Sequence, residues 1–243
     1  MASLIDQGAE PVSVTRQLST TEKFDAGYLR AFGCAPFTHF EAAQSLEEAG
    51  VPFINGTKLH LECHDKLKAQ FKIEKSGLLM PASWTFSAVP DNFPMICKPV
   101  RGSGGTGVVL VQSRDQAILH QEALGVECML QQYIKDARCL RVCTGQGQIG
   151  RIYAKCPPAG SVVASINQGA SRGLLKTHPA AETLSLRALS VFGGGIAGID
   201  ILEDAEGKLW LLEINPSFAF DAQDKDLARW IASQIIAMPR TES

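Results

Sequence analysis

Along the first third of the chain the apolar positions recur with a helical period, and beyond it they alternate. Residues 1–22 are polar and aperiodic. Thr38 with Glu41 reads as a capping box for a helix that carries Ala42, Leu46 and Ala49 and stops at Gly50. Residues 51–54 form a short buried strand, and Asn55-Gly56 a turn. A second amphipathic helix covers 65–76 and ends at Gly77. From there the pattern is β-rich. Strands are expected over 95–100 and 107–111, either side of a glycine cluster, with a helix over 116–124. Further strands follow over 127–133, 140–144 and 148–154. Residues 157–179 read as a loop whose length points to a function rather than a mere connection. A helix over 181–192 precedes an antiparallel pair, 196–203 and 208–214, turning through 204–207; a helix over 221–238 closes the chain. Helices interleaved with mostly antiparallel strands predict an α+β or mixed α/β layered fold.

Composition narrows the class. The 243 residues suffice for one or two domains with real cores, and 45% hydrophobic with 20% charged residues is an ordinary globular mixture. A net charge of -2 provides no global field for nucleic acid or an anionic membrane, although a local basic pocket is compatible with it. No basic stretch leads into an apolar run, and no apolar run reaches the ~18 residues that span a bilayer. Seven scattered cysteines, several within apolar strand-like runs, suit a reducing compartment better than a disulfide framework. The expectation is a cytoplasmic protein with neither nucleic acid nor membrane as partner.

The sharpest local signal runs from Lys98 to Val109 and contains Gly102, Ser103, Gly104, Gly105 and Gly107. Gly102, Gly104 and Gly107 satisfy the dinucleotide pattern GxGxxG, but that pattern needs a helix after the loop. Here Val108-Val-Leu-Val111 follows, a good strand and a poor helix start. A kinase-like glycine loop also matches, yet no His-Arg-Asp or Asp-Phe-Gly occurs in the chain. What survives is a glycine hairpin folding over nucleotide phosphates, with the Lys98 ammonium beside it; a mobile surface hairpin is the plainer alternative.

The second signal is Gly198-Ile-Asp200-Ile and Glu213-Ile-Asn215. On an antiparallel pair, Glu213 and Asn215 share a face and Asp200 sits on the neighbouring strand. Two carboxylates and an amide oxygen are hard ligands suited to magnesium, and a cation would offset the cost of burying like charges. The plainer reading leaves these acids in solvent at strand ends.

Taken together and in order, Asp65-Lys66, the Lys98 strand with its glycine loop, Leu130-Gln-Gln-Tyr-Ile134, Arg141, Gly198-Ile-Asp200 and Glu213-Ile-Asn215 resemble the ATP-grasp superfamily. Within it they resemble the ribosomal-protein-S6 glutamate ligase-like carboxylate–amine ligases, over about residues 40–243. The resemblance implies an α+β, ATP-grasp fold of two α+β lobes with a shortened N-terminal lobe. Residues 1–63 would be the N-terminal region and 64–243 the ATP-grasp domain. It implies ATP and Mg2+ as cofactors. Lys66, Lys98, Gly102, Ser103, Gly104 and Gly105 would hold phosphates, and Gln132, Tyr133 and Ile134 would meet the adenine. Asp200, Glu213 and Asn215 would hold magnesium, and Arg141 would stabilise phosphate or acyl-phosphate charge. The implied reaction activates a carboxylate as an acyl phosphate and joins it to an amine, such as an amino acid like glutamate added to a protein, peptide or cofactor. A homo-oligomer is compatible with it.

The sequence departs from the family pattern at Gln132, often Glu, and at Cys139, usually Asp. An Arg-x-Asn with paired glycines is not clear in 163–170, and Pro216-Ser-Phe-Ala219 replaces a small-Pro-Gly run. These changes fall mostly where the acceptor substrate would sit. A non-catalytic nucleotide-binding module and a phosphotransferase are therefore kept as rival readings. His60, Cys63 and His64 lack a fourth ligand at metal spacing and are not read as a zinc site. Trp210 is read as core, and Arg172, Lys176 and His178 as a solvated basic loop rather than a site for an acidic substrate.

Overall fold

The structure, a computed structural model, describes residues 7, 24–30, 37–218 and 224–238. The aperiodic reading of 1–22 therefore lies outside the described residues, Gln7 apart, as do positions 221–223 of the final helix. In chain order the elements are β1 (Gly27–Tyr28), α1 (Phe37–Glu48), β2 (Phe53–Ile54), α2 (Thr57–His64), α3 (Lys66–Lys75), β3 (Ser83–Trp84), β4 (Met95–Pro99) and β5 (Val109–Val111). Then come α4 (Arg114–Leu124), β6 (Cys128–Gln132), β7 (Arg138–Gly145), β8 (Gln148–Cys156), β9 (Ser171–Leu175), α5 (Pro179–Ser190), β10 (Ile196–Glu203), β11 (Leu209–Asn215) and α6 (Lys225–Ile236).

Two antiparallel sheets organise the molecule, one in the order β3-β6-β4-β5 and the other β11-β10-β7-β8-β9; β1 and β2 make a small parallel pair. Strand alternation gives each large sheet one apolar and one chemical face. In the five-stranded sheet, Leu140, Val142, Ile152, Ile199, Ile201 and Leu211 point to a core shared with Ala181, Ala188 and Leu189 of α5, Leu59 of α2 and Ile73 of α3. The opposite face carries Glu213, Asp200, Arg141 and Tyr153 in one directly paired row across β11, β10, β7 and β8. In the four-stranded sheet, Met95, Cys97, Cys128 and Leu130 pack with Ala117 of α4, while Lys98 and Gln131 face the other way. Helix α6 covers one end of the charged face, packing Leu227 and Ile231 against Cys143, Tyr153 and Ile196.

The α+β architecture agrees with the expectation, and most elements lie where the pattern put them. Differences have local causes. α1 begins at Phe37, so Thr38 falls inside its first turn rather than before it. α3 is capped as its sequence suggests, the Asp65 carboxylate accepting from the Lys68 amide at 3.1 Å. α2 has Gly56 as N-cap without a side-chain bond, and so carries no capping signature. The 157–179 segment is not all loop. It holds a helical turn at Ile166–Gln168, the edge strand β9, and the start of α5 at Pro179. Trp210 is half-buried rather than core: its indole N–H donates to Asp204 at 2.8 Å, with Lys208 4.3 Å over the ring.

Candidate active site

The two chemical faces meet at a narrow cleft lined by Lys66 and Ile73 of α3, Lys98 and Gln131 of the four-stranded sheet, and Glu213 of the five-stranded one. Its charged side chains engage one another and the glycine loop. Lys66 Nζ lies 3.9 Å from the Glu213 carboxylate and donates to the Gly102 carbonyl at 2.7 Å. Lys98, buried, donates to Gln131 Oε1 at 2.8 Å. Burial pulls the Lys98 pKa down to about 8 against the opposing attraction of Glu213, and Lys66 lowers it further.

Asp200 is buried and triply engaged. Arg141 donates Nε and Nη2 to its two oxygens at 2.6 and 2.7 Å, and Lys155 Nζ lies 2.9 Å from Oδ1. Burial alone would raise the Asp200 pKa; Arg141 and Lys155 outweigh it and hold it at about 2. Burial likewise works against the Arg141 charge, yet Asp200 holds that group above the ordinary guanidinium range. A metal was expected to relieve buried negative charge here, but Asp200 is relieved by Arg141 and Lys155. A magnesium site therefore rests on its donor set. Asp200 and Glu213 are directly paired across β10 and β11, and Asn215 Nδ2 is 3.5 Å from Asp200 Oδ2. Two carboxylates and an amide on neighbouring strands fit a hard, partly hydrated cation. Around them four cations, Lys66, Lys98, Arg141 and Lys155, face two carboxylates and leave an excess of two positive charges. Such an excess suits a polyphosphate.

The glycine loop bridges the faces. Gly102, Gly104, Gly105 and Gly107 all have φ between 70° and 132°, the region that favours glycine. Ser103 is exposed on the same loop. On its far side the loop packs against the segment between β8 and β9, where Ser165 Oγ donates to the Gly104 carbonyl at 2.8 Å. Gln132 ends β6, its amide donating to the Ala82 carbonyl at 2.8 Å, with Tyr133 and Ile134 half-buried just beyond.

Of the expected residues, Lys66, Lys98 and Glu213 line the cleft; Gly102 meets Lys66, Asp200 pairs with Glu213 across the strands and carries Arg141 and Asn215 with it, and Gln132–Ile134 follow the lining residue Gln131 at the end of β6. Sequence reasoning missed Lys155, although Arg151, Tyr153 and Lys155 alternate on β8 and so share its charged face. It also missed Gln131, beside the residue it named, and the reason for Gly198. A Cβ there would stand 2.8 Å from the Arg141 side chain and 2.9 Å from Phe218, so glycine lets Arg141 lie flat on β10. Of the declined features, His60 bonds the Leu29 carbonyl at 2.9 Å, and Arg172 lies 5.1 Å over the Tyr153 ring. Among the described residues no helix is long and apolar enough to cross a membrane.

Solved structures with the same fold include the ATP-grasp ligase PsnB complexed with a minimal precursor, at a TM-score of 0.70 and 17% identity over 97% of this chain and 93% of that one. The D-alanine–D-alanine ligase from Bacillus anthracis complexed with ATP matches at a TM-score of 0.61 and 19% identity, over 80% of this chain and 72% of that one. In sequence, the chain is 28% identical over 233 residues to a probable alpha-L-glutamate ligase of Pseudomonas savastanoi pv. phaseolicola, covering 88% of this chain and 76% of the relative. Probable alpha-L-glutamate ligase 2 of Shewanella frigidimarina matches at 28% over 230 residues, with the same coverage. The RimK-like ATP-grasp domain matches residues 63–238, more than half of the chain. The chain belongs to the RimK-like ATP-grasp domain family and is an ATP-grasp ligase of the kind that forms C–N bonds.

Proposed function

We propose that this ligase is ATP- and magnesium-dependent and works through an acyl phosphate, with residues 64–243 as its ATP-grasp domain and 1–63 as an N-terminal region. The observation that carries the reading is the cleft itself, in which Lys66 and Lys98 stand opposite Glu213 and next to the Arg141–Asp200–Lys155 cluster.

Triphosphate would lie along Lys66, Lys98 and the glycine loop, with the adenine against Gln132–Ile134. Bound magnesium, held by Asp200, Glu213 and Asn215, would neutralise charge on the phosphoryl oxygens. A substrate carboxylate oxygen attacks the γ-phosphorus and ADP leaves. The amine, its ammonium proton lost to water, then attacks the acyl carbon; the C–O bond to phosphate breaks, and the second N–H proton passes to solvent or to the departing phosphate. Arg141 and Lys155 would stabilise the negative charge that accumulates in both steps, and their pairing with Asp200 fixes their position beforehand. Little else is asked of the protein than orientation.

Release of ADP tests the reading. A ligase releases it only when both an acid and an amine are present. A phosphotransferase needs no amine, and a binding module releases none under any condition. Arg141→Met should lower the ligase rate on the order of a hundredfold or more.

A further inference from the structure

The pairing of β10 with β11 runs as far as Gly198 opposite Asn215 and stops there. β10 itself begins two residues earlier, where Ile196 pairs with Gly145 of β7 on its other side. The place that a further β11 residue would fill beside Ile196 is taken by a side chain of the N-terminal region. Asn55 Oδ1 accepts from the Ile196 amide at 2.7 Å, and Asn55 Nδ2 donates to the Ile196 carbonyl at 2.6 Å. These are the two bonds that a directly opposed antiparallel residue would exchange. Nδ2 also donates to the Pro216 carbonyl at 2.8 Å, so both amide hydrogens are used. Asn55 is 3% exposed and has a φ of 55°, a conformation that asparagine tolerates better than most residues. Position 195 makes room for it: a Cβ there would stand 2.6 Å from Asn55 Oδ1.

The third bond reaches the proposed metal site. Pro216 follows Asn215 directly, and proline has no amide hydrogen with which to continue the ladder. The Asn55 carboxamide thus ties down the backbone one residue beyond Asn215, where strand pairing has run out, and so fixes the direction in which Asn215 leaves β11. The Asn215 side chain stands 3.5 Å from Asp200 at that point. Magnesium demands near-ideal octahedral geometry, so a ligand at a strand end needs such a tether. Asn55 is not among the residues lining the cleft, and its effect there runs through Asn215.

Resting on the magnesium site of the reading above, we propose that Asn55 is a positioning residue for that site, holding Asn215 in place through the Pro216 carbonyl. The test is titration calorimetry of ADP across a series of magnesium concentrations, on the full chain, in wild type, Asn55→Ala and Ile152→Ala. Each protein is measured at a temperature where circular dichroism shows it folded. Ile152 is buried on the core side of β8, three strands from β11, and supplies a destabilised control. In Asn55→Ala the magnesium concentration giving half of the full gain in ADP affinity should rise about tenfold, with magnesium-free ADP affinity within about twofold of wild type. Ile152→Ala should move neither quantity. Asn55→Gln, which displaces the carboxamide by one methylene, carries the same expectation should Asn55→Ala not fold. An unchanged magnesium requirement, an equal loss of ADP affinity with and without magnesium, an equal shift in Ile152→Ala, or failure of both Asn55 variants to fold overturns the proposal. A wild type whose ADP binding gains nothing from magnesium would instead sink the reading on which it rests.

Discussion

Arg141 and Asp200 occupy directly paired positions on β7 and β10, and the guanidinium meets both carboxylate oxygens, at 2.6 and 2.7 Å, with both residues largely buried. The planar fork of arginine matches a carboxylate in a way lysine cannot. Because Lys155 shares the same carboxylate, Asp200 is the keystone of a two-cation cluster. Asp200→Asn leaves two buried cations without their anion. It should cost about 3–5 kcal/mol, a fall in melting temperature on the order of 10 °C, measurable by scanning calorimetry.

The same carboxylate gives the fold an acid limit. Its folded pKa, about 2, lies below its ordinary value of 3.8, so the stabilisation is complete well above pH 4 and is lost as pH falls from about 4 through about 2. The loss should approach about 2 kcal/mol. Urea unfolding at pH 5, 4 and 3 should therefore show wild type losing more stability than Asp200→Asn across that interval.

Lys98 sets an alkaline limit on nucleotide binding. With its pKa lowered to about 8 by burial, the free protein loses this positive charge as pH rises above 8. Phosphate should draw the proton back, so ADP binding at pH 8.5 should take up protons and weaken with further increase in pH. Calorimetry in two buffers of different ionisation enthalpy reads the uptake directly; in Lys98→Met it should vanish. For folding the sign is opposite to that of a salt-bridged lysine. The buried charge is a cost below pH 8 that lessens between about 8 and 10.5.

Gly198→Ala should act through Arg141. The added methyl would meet Arg141 Cδ and Nη1 at 2.8 Å, so either the guanidinium or β10 must shift. A stability loss of about 1–3 kcal/mol and a weaker nucleotide response are expected together. Loss of stability with unchanged nucleotide affinity would separate Arg141 from the binding site.

Much of this site could be read from the chain because strand alternation is local. Glu213 and Asn215 two residues apart, and Val108–Val111 after the glycines, placed the acidic face and ruled out the dinucleotide loop without any tertiary knowledge. Contacts between distant residues could not be read in this way. Ser165 and Gly104 meet across 61 positions, and Lys155 finds Asp200 only because β7 lies between β8 and β10. Strand β9 was hidden because an exposed edge strand with a glycine at its centre shows no alternation. The need for a metal to balance Asp200 was inferred from its apolar neighbours in sequence, which say nothing of the cations on adjacent strands.

The most direct test of the account is thermal stability with ADP, with and without magnesium, on wild type and Glu213→Gln. At about 100 times its Kd a ligand adds about 2.7 kcal/mol, or roughly 5–10 °C for a chain of this size. Wild type should show a shift of that order that requires magnesium and is lost in the variant. A folded wild type that shows no shift with any nucleotide would contradict the account.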